Sequence, residues 1–445
     1  MTVHSIDGKT QTTKLERIGK LAAEKKDIVF NNLGHIVDLY SLRKSFHRLD
    51  GNKAVGIDGV TKEAWGKNLE SNLQDLLKQI RQGGYRPKPA RLVEIPKEDE
   101  STRPLAISCF QDKIAQQTVA DILTTIYEPL FLSASYGYRP EIDGHEALRA
   151  LMKYSNEAKD GATVEIDLRK YFNSIPHEVL MKILNEKISD SRFLRLIERL
   201  IRTPVMENGK EEINRRGVPQ GSIISPILSN IYLHYVIDDW FNKISQTHMK
   251  SRSKQIRFAD DMVFIFHCKE DAERFYEVLP KRLAKYGLEL HEGKSSVIRT
   301  GSKAAAEAHA RGERLPSYKF LGFTCYWGQS RNGTWRLKYK SRSDRFKAKL
   351  NGLKKYLTEN LNTETQAVVK RIIMVVQGWG NYHAISDNQK KVSSFIYQIK
   401  RILFKWRNRK GGRRKLNWSQ FSNLLTRLAF PETFKTKSMF AICRS

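Results

Sequence analysis

The chain has 445 residues, with 78 lysines and arginines against 48 aspartates and glutamates, and a formal net charge of +30. This length predicts two or three structural units, and a hydrophobic content of 40% is enough to bury a sizeable core. No run of about 18 or more apolar residues occurs, which argues against a transmembrane helix. The polar N-terminus lacks the apolar segment of a signal peptide, so an intracellular location is expected.

The excess of positive charge favours a polyanionic partner. Phosphates release counterions when they meet lysine and arginine, so nucleic acid is the expected ligand class. A ribosomal-type basic protein or a membrane-surface protein is the alternative. The four cysteines, at positions 109, 268, 325 and 443, are scattered without a C-x-x-C pair. This spacing argues against a disulfide framework and against a zinc module.

Helical and strand patterns alternate in the first three quarters of the chain, which indicates the α+β class. The predicted helices are 13–24, 112–128, 175–185 and 224–242, and the predicted strands are 92–95, 162–166 and two within 255–266. The alanine-rich segment 303–310 predicts a short exposed helix.

Three successive apolar stripes follow Trp335, each with spacings of three and four residues. They predict a small helical bundle with basic outer faces. The stripes are Phe346, Leu350, Leu353 and Leu357, then Val368, Ile372, Val376 and Trp379, then Val392, Phe395, Ile399, Ile402 and Trp406.

Asp260 and Asp261 are adjacent in the largely apolar segment RFADDMVFIF. Two carboxylates at the tip of a hairpin are costly to bury unless a cation neutralises them. Carboxylate oxygens suit Mg²⁺, a hard cation. The pair therefore indicates a metal site, and a solvated acidic turn is the alternative.

Asp167 ends the apolar segment ATVEID. A carboxylate at the end of a buried strand suits a metal site, and the alternative is a helix N-cap. Two Mg²⁺ ions held by the three aspartates would activate a primer 3′-hydroxyl and stabilise the departing pyrophosphate.

The segment GVPQGS at 217–222 predicts a tight loop. Backbone N–H groups in such a loop can approach a nucleotide closely. The alternative is an ordinary turn before a helix.

Taken in order, these motifs resemble the reverse transcriptases encoded by bacterial group II introns. The matching segments, besides the strand that carries Asp167, are GIDGV (56–60), IPKEDESTRPLAIS (95–108), GVPQGSIISPILSNIYLHYVIDDWF (217–241), RFADD (257–261), GLELHEGKS (287–295), FLGFT (320–324) and GWGNYHAIS (378–386). The resemblance implies a right-hand polymerase of the α+β class, with an antiparallel sheet in the fingers and palm and an α-helical thumb or maturase bundle after them. The implied activity is RNA-directed DNA polymerase, a nucleotidyltransferase.

The resemblance also implies roles for individual residues. The three aspartates, with the backbone carbonyl of Leu168, would bind two Mg²⁺ ions, for which Mn²⁺ could substitute. The residues that would bind the incoming nucleotide are Lys97, Arg103, Phe172, Gln220 and Lys294. Lys97 and Arg103 suit a triphosphate, and Phe172 would clash with a 2′-hydroxyl. The alternatives are solvated loop charges, core packing for Phe172 and a turn cap for Lys294.

Residues 401–415, RILFKWRNRKGGRRK, contain eight basic and no acidic residues. The predicted nucleic-acid contacts are Arg401, Lys405, Arg407, Arg409, Lys410, Arg413, Arg414 and Lys415. The expected partners are a structured RNA of the group II intron type, an RNA template, a DNA primer or target, and dNTPs, with no membrane. The expected location is the bacterial cytoplasm, on the nucleoid when the protein binds DNA.

Two features depart from the family pattern. Phe258 stands where the family usually has tyrosine, and other reverse transcriptases also use phenylalanine there. The sequence shows no cysteine pairs of an H-N-H nuclease after the thumb, so cleavage of a second DNA strand is not expected.

The predicted domains are fingers and palm at 1–330, with an N-terminal extension at about 1–50, a helical thumb at 331–405, and a short basic DNA-binding tail at 406–445. Two alternative functions stay open. One is an RNA-binding splicing cofactor without polymerase activity, and the other is a domesticated reverse transcriptase in DNA repair or phage defence. Three aspartates argue against the first alternative, whereas the protein sequence does not separate the second from an intron-borne enzyme.

Overall fold

The computed structural model describes residues 4–96, 102–207, 210–410 and 415–440, and the side chains from residue 14 onward within them. The chain divides into two compact units. Unit 1 comprises Met1–Asp143, Ile166–Phe264 and Glu270–Val297, and unit 2 comprises Gly144–Glu165, Ile265–Lys269 and Ile298–Ser445. The predicted domain boundaries near residues 330 and 405 stay predictions.

Helices dominate the described chain. In chain order they are α1 (His4–Glu24), α2 (Leu39–Arg48), α3 (Lys62–Gly66), α4 (Leu69–Arg81), α5 (Phe110–Tyr127), α6 (Gly144–Glu157), α7 (Tyr171–Ser174), α8 (His177–Asn185), α9 (Ser191–Ile201), α10 (Ser225–Leu233), α11 (Asp239–Thr247), α12 (Lys269–Lys285), α13 (Ser302–Ala310), α14 (Ser343–Glu359), α15 (Thr365–His383), α16 (Gln389–Lys410) and α17 (Trp418–Arg427). A π-helical turn at His234–Asp238 joins α10 to α11.

Within the described ranges the strands are short and form three sheets. They are β1 (Ala90–Pro96), β2 (Thr102–Ile107), β3 (Gly161–Ile166), β4 (Val205–Glu207), β5 (Lys210–Glu212), β6 (Ser253–Phe258), β7 (Asp261–Phe266), β8 (Ser296–Thr300), β9 (Tyr318–Phe320), β10 (Phe323–Gln329) and β11 (Trp335–Ser341). The predicted α+β class is confirmed, and each helix and strand predicted in the described residues is present.

The first sheet lies in unit 1 and has the order β2-β1-β4-β5. Strand β1 pairs antiparallel with β2, from Arg91 opposite Ile107 to Pro96 opposite Thr102, and parallel with β4. Helix α5 is a largely buried helix of this unit, because apolar residues occur on all its sides and are buried. Such a helix belongs in the interior of a large unit.

The sheet with the order β6-β7-β3-β8 carries the predicted aspartates. In β3 only Glu165 is not fully buried, and in β7 every residue after Asp261 is buried. Because both faces of these strands are covered, polar residues at their ends are held in defined surroundings.

Unit 2 contains the third sheet, β11-β10-β9. Strands β10 and β11 pair antiparallel over their full length, from Phe323 opposite Ser341 to Gln329 opposite Trp335. The predicted alanine-rich helix is present but is exposed on one face only, because Ala304, Ala305 and Ala308 of α13 are buried whereas Ala306 and Ala310 are exposed. Small side chains allow a helix to pack closely, so alanine content did not signal exposure.

The three predicted apolar stripes lie on α14, α15 and α16 and share one core. Helix α17 adds Phe421 and Leu425 to the same core, and Phe430 follows. Part of the segment predicted as a tail therefore packs into the bundle.

None of the helices in the described ranges is both long and apolar enough to cross a membrane. In the part of the chain that the structure describes, the cysteines at positions 109, 268 and 325 form no disulfide bond.

Candidate active site

The two adjacent aspartates lie at the turn between β6 and β7. Ala259 and Asp260 form that turn, and Ala259 has a left-handed backbone with φ of 57°. Asp260 is half-buried, whereas Asp261 begins β7 and is exposed. The two carboxylates therefore have different environments. Because Asp260 is half-buried, the alternative of a fully solvated acidic turn does not hold for it.

Asp167 directly follows β3, and its backbone is fixed by a neighbouring segment. The Asp167 N–H donates to Ser295 Oγ at 3.0 Å, and its carbonyl accepts from the His291 N–H at 2.9 Å. The helix that follows, α7, has Lys170 at its N-cap. Asp167 is therefore not the cap of that helix.

Leu168 forms an antiparallel bridge with Leu290. The hydrogen bonds of this bridge come from the flanking residues, since the Arg169 N–H donates to Glu289 O and the His291 N–H to Asp167 O. The Leu168 carbonyl is thus not used by this ladder.

Asp167 and Asp260 lie on neighbouring strands, since Asp167 follows β3 and Asp260 precedes β7, which are adjacent in the sheet. Burial raises the pKa of the Asp260 carboxyl, and the negative charge of Asp167 raises it further, while its own backbone N–H and Arg257 act in the opposite direction. Tyr138 belongs to the same cluster, because burial, then Asp260 and Asp261, raise the pKa of its phenol. Two like charges from different strands therefore meet in a partly desolvated place.

The donor chemistry of this cluster fits a hard divalent cation. Carboxylate oxygens are the ligands that Mg²⁺ prefers, and a cation would relieve the repulsion that raises the pKa of Asp260. In the described part of the chain, no three His, Cys, Asp or Glu side chains are close enough together to form a complete metal-binding group. The structure thus brings two of the predicted aspartates together, and Asp261 follows as the first residue of β7.

The 217–222 loop is attached to the segment that carries Phe172. The Gly217 N–H donates to Ile175 O and the Val218 N–H to Phe172 O, each at 2.8 Å. Gly217 has φ of +86°, and a Cβ there would lie 2.7 Å from Asn173 Cα, so this loop requires glycine. The ring of Phe172 is half-buried and meets Tyr171 edge-on at 5.3 Å between centroids.

Gln220 connects this loop to the first sheet. The Gln220 carbonyl accepts from the Ala106 N–H of β2 at 2.7 Å, and Gln220 is half-buried. Gly221, with φ of +102°, passes so close to Leu105 and Ala106 that a Cβ would not fit. The 217–222 loop is therefore hydrogen-bonded both to the segment of α7 that carries Phe172 and to β2, and Gln220 lies in this loop.

The other predicted nucleotide ligands are partly described. Arg103 is exposed on β2, opposite Ile95, and its positive charge opposes the raised pKa of Tyr138. Lys294 is exposed in the short turn Glu292–Lys294, next to the residues that bond to Asp167. Lys97 lies outside the described residues.

Sequence reasoning missed Arg257, which is hydrogen-bonded to the turn between β6 and β7. Arg257, in β6, is fully buried and forms an ion pair with the equally buried Asp238. It donates through Nη1 to the Ala259 carbonyl at 3.2 Å and to Asn230 Oδ1 at 2.9 Å. Through Nη2 it also donates to Ser135 Oγ at 2.7 Å. One guanidinium thus ties three other segments to the turn of the aspartates.

Gly137 is in close contact with the backbone of the same turn. A Cβ at this position would lie 2.3 Å from the Ala259 nitrogen, and its carbonyl accepts from Asn230 Nδ2 at 2.6 Å. The available signal for the whole network was an arginine inside the apolar strand QIRF, since an inward-facing charge in a strand requires a buried partner.

The predicted basic residues lie mostly on α16. Arg401, Lys405 and Arg409 line a groove of about 590 Å³ that also contains Lys354 of α14 and Trp406. Arg407 and Lys410 are half-buried in the last turn of α16, and Lys415 is exposed. Arg413 and Arg414 lie outside the described residues.

A family model described as "Reverse transcriptase (RNA-dependent DNA polymerase)" matches residues 95–325, just over half of the chain. The group II intron-encoded protein LtrA of Lactococcus lactis subsp. cremoris is 34% identical over 224 residues, which cover 49% of this chain and 37% of that protein. Protein YkfC of Escherichia coli (strain K12) is 37% identical over 187 residues, which cover 41% and 49%. The putative COX1/OXI3 intron 2 protein of Saccharomyces cerevisiae is 32% identical over 232 residues, which cover 50% and 26%.

The matched region spans less than half the length of each of these curated relatives. Among solved structures, telomerase from Candida albicans in complex with a TWJ fragment of telomeric RNA matches with a TM-score of 0.45 and 15% identity, over 83% of this chain and 66% of that chain.

Proposed function

Because this chain belongs to the reverse transcriptase (RNA-dependent DNA polymerase) family, we propose that it copies an RNA template into DNA. The reaction adds a deoxynucleotide to the 3′-hydroxyl of a DNA primer and releases pyrophosphate. The family match includes Asp167, Asp260 and Asp261.

The observation that carries this proposal is the coupling of Asp167 to Asp260. The end of β3 and the β6–β7 turn bring two carboxylates close enough for one to raise the pKa of the other. Such a pair is electrostatically unfavourable without a cation, and functional sites collect groups of this kind.

Reverse transcriptases in general depend on divalent metal ions, and the proposed ligands here are the three aspartates with the Leu168 carbonyl. Two Mg²⁺ ions, or Mn²⁺ in their place, would supply an acidified primer hydroxyl and neutralise the charge of the leaving pyrophosphate. The chain's own contribution is to hold the Asp260 turn in position, through Arg257 below it and Gly137 beside it.

The proposed nucleotide pocket is formed by the residues around the 217–222 loop. Phe172 would exclude a 2′-hydroxyl and Gln220 would contact the nucleotide. The attachment of both residues to one loop supports this. Arg103, Lys97 and Lys294 would neutralise the triphosphate, for which guanidinium and ammonium groups are suited.

The proposed partner beyond the template is a structured RNA of the group II intron type, which the protein would help to splice and to insert at new sites. The intron-related names of the relatives support this, and so does the formal charge of +30. The proposed domains are fingers and palm at 1–330, thumb at 331–405 and a DNA-binding tail at 406–445. The proposed location is the bacterial cytoplasm.

The test is primer extension on an RNA template annealed to a DNA primer, with dNTPs and Mg²⁺. Wild type, Asp260→Ala and Asp239→Ala are compared, since Asp239 is an acid on α11 that pairs with Lys243. Wild type and the Asp239 variant should make full-length DNA, and Asp260→Ala should make none while it still binds RNA.

No product from folded wild type that binds RNA would contradict the polymerase proposal and favour the splicing cofactor. Extension by Asp260→Ala at the wild-type rate would contradict the metal site.

A further inference from the structure

A second basic groove lies in unit 1, on a part of the chain that the proposed function does not use. It has a volume of about 480 Å³ and is lined by Arg86, Pro87, Arg195, Glu198, Arg199, Arg202, Pro204, Glu211 and Ile213. Four of these nine side chains are guanidinium groups, and two are carboxylates. The groove therefore carries a local excess of positive charge.

Helix α9 and its C-cap residue supply three of the four arginines. One face of this helix is apolar and buried, and the arginines lie on the other face. Its apolar residues Phe193, Leu196, Ile197, Leu200 and Ile201 are all buried. Arg195, Arg199 and Arg202 recur at spacings of four and three residues, which puts them on one face of the helix, along about 10 Å of its axis. The buried face fixes the helix backbone, so the positions from which the three arginines project are defined.

The guanidinium groups outnumber the carboxylates of the groove, and two of them converge on one backbone carbonyl. Arg86 Nη1 and Arg199 Nη1 both approach the Tyr85 carbonyl, at 3.1 and 3.4 Å. Glu198 pairs with Arg202 at 3.1 Å, whereas no ion pair within the described ranges involves Arg86, Arg195 or Arg199. Burial, and then repulsion from Arg86 and Arg195, lowers the pKa of Arg199, while the Glu198 carboxylate acts in the opposite direction. Convergent cations of this kind are preorganised for an anion.

The apolar part of the groove favours a ligand larger than a small free anion. Pro87 and Pro204 line it, and Ile213 beside them is 62% exposed. An extended ligand with phosphates and less polar sugar edges would cover both the guanidinium row and this apolar margin.

We propose that this groove binds the phosphodiester backbone of the structured RNA, in addition to the basic surface of α14 and α16. The inference rests on the proposed function for its choice of RNA, since structured RNA is recognised largely through backbone and shape. Each guanidinium would contact one phosphate, and arginine is the side chain suited to this geometry.

The experiment compares two charge-matched double variants with wild type. Arg195→Gln with Arg199→Gln removes two groove cations. Lys243→Gln with Arg311→Gln removes two exposed cations that are paired with acids at 2.7 and 3.1 Å. Equilibrium binding of a fluorescent folded RNA and of a duplex DNA of equal charge is measured over a range of salt concentrations, and thermal unfolding checks that each variant is folded.

For the groove variant we expect the slope of log affinity for RNA against log salt to fall by about 1 for each arginine removed, with at least about a tenfold weaker binding at low salt. The control variant should bind RNA as wild type does, and duplex DNA binding should change less than RNA binding. RNA affinity and slope equal to those of the control would overturn the proposal, and an equal loss for DNA would overturn the choice of RNA.

Primer extension on a short template–primer separates this inference from the proposed function. Extension by the groove variant should equal that of wild type, because the short duplex is held at the aspartates. If wild type extends no primer but the groove variant still loses RNA binding, the polymerase proposal fails and the groove proposal stands.

Discussion

Arg257 Nη2 lies 2.6 Å from Asp238 Oδ2, and neither side chain is exposed to solvent. Arg257 Nε also donates to Asp238 Oδ1 at 2.8 Å, and so does Gln255 Nε2 at 2.6 Å. The pair is therefore bidentate and fully desolvated. Arg257 Nη1 also donates to the Ala259 carbonyl, so the ion pair and the turn of the aspartates form one hydrogen-bonded unit.

The first prediction separates the stability of this pair from its role in positioning. Asp238→Asn should destabilise the fold by about 3–5 kcal/mol, because it leaves the Arg257 charge buried without its counterion. The double variant Asp238→Leu with Arg257→Met should recover much of that stability. Its primer extension should stay slow, because Ala259 has lost its hydrogen-bond donor. The effect should appear mainly as a lower kcat, with a smaller change in the KM for dNTP.

Thermal unfolding and steady-state extension measure the two effects. The matched control is the exposed pair Lys243–Asp239, where Asp239→Asn should change stability by less than about 1 kcal/mol. Full extension by the double variant would show that Arg257 has only a structural role.

The second prediction concerns the close approach of Gly137. A Cβ there would lie 2.3 Å from the Ala259 nitrogen and 2.9 Å from the Phe258 carbonyl carbon, so Gly137→Ala must displace the backbone of the turn. A displacement of about 1 Å at reacting groups can reduce a rate about 100-fold. We expect a loss of that order in extension rate from a protein that still folds.

Gly352→Ala is the control for this change. Nothing lies within 4 Å of a Cβ at Gly352 in α14, so alanine there should stabilise the helix by up to about 1 kcal/mol and leave extension unchanged. Equal extension by both variants would mean that the turn tolerates movement.

Local patterns predicted much of this fold, because period and spacing are properties of the chain itself. The stripes on α14, α15 and α16 share one core, as their three- and four-residue spacing predicts. The two strands around Asp260 and the strand before Asp167 were also predictable, since apolar runs ended by polar turns are local signals. The family resemblance supplied the order of the motifs.

Contacts between distant segments were not predictable from one sequence. The pairing of Arg257 with Asp238 joins β6 to the end of a π-helical turn. The local sequence of neither segment identifies the other as its partner. The burial of α13 likewise depends on what covers Ala304 and Ala305. Tertiary packing decides such cases, and composition alone does not.

The third prediction uses the raised pKa of Asp260. A carboxyl whose pKa is raised by folding stabilises the fold below its unfolded pKa, and this stability is lost as pH rises through the folded pKa. At neutral pH without metal, the Asp260 carboxyl therefore opposes folding. Asp260→Asn should raise the melting temperature in EDTA and abolish primer extension.

Mg²⁺ should reverse this order of stability. A cation that binds only the folded protein raises its melting temperature, so Mg²⁺ should stabilise wild type and leave Asp260→Asn unchanged, while Asp239→Asn should respond as wild type does. An equal rise in Asp260→Asn would mean that the stabilising cation binds elsewhere.

The fourth prediction is a pH effect on unit 2. Burial, followed by the charges of Arg345 and His145, lowers the pKa of His383 to about 4. Its ring stacks on Trp379 at 4.3 Å between centroids, and Nδ1 lies 3.1 Å from Ser341 Oγ. Because the folded pKa is depressed, the unfolded chain binds the extra proton, and stability is lost as pH falls from about 6.5 towards 4.

Each pKa unit corresponds to about 1.4 kcal/mol, so His383 alone should cost about 3 kcal/mol across that range. Urea unfolding followed by tryptophan fluorescence at several pH values between 7.5 and 4.5 measures it. His383→Gln should be less stable than wild type at pH 7.5, because it loses the stacked ring, yet should lose less stability on acidification. His248→Gln, at an exposed position, should keep the wild-type pH dependence. An unchanged dependence in His383→Gln would assign the acid sensitivity to other groups, because the buried imidazole would then not be the group that gains the proton on unfolding.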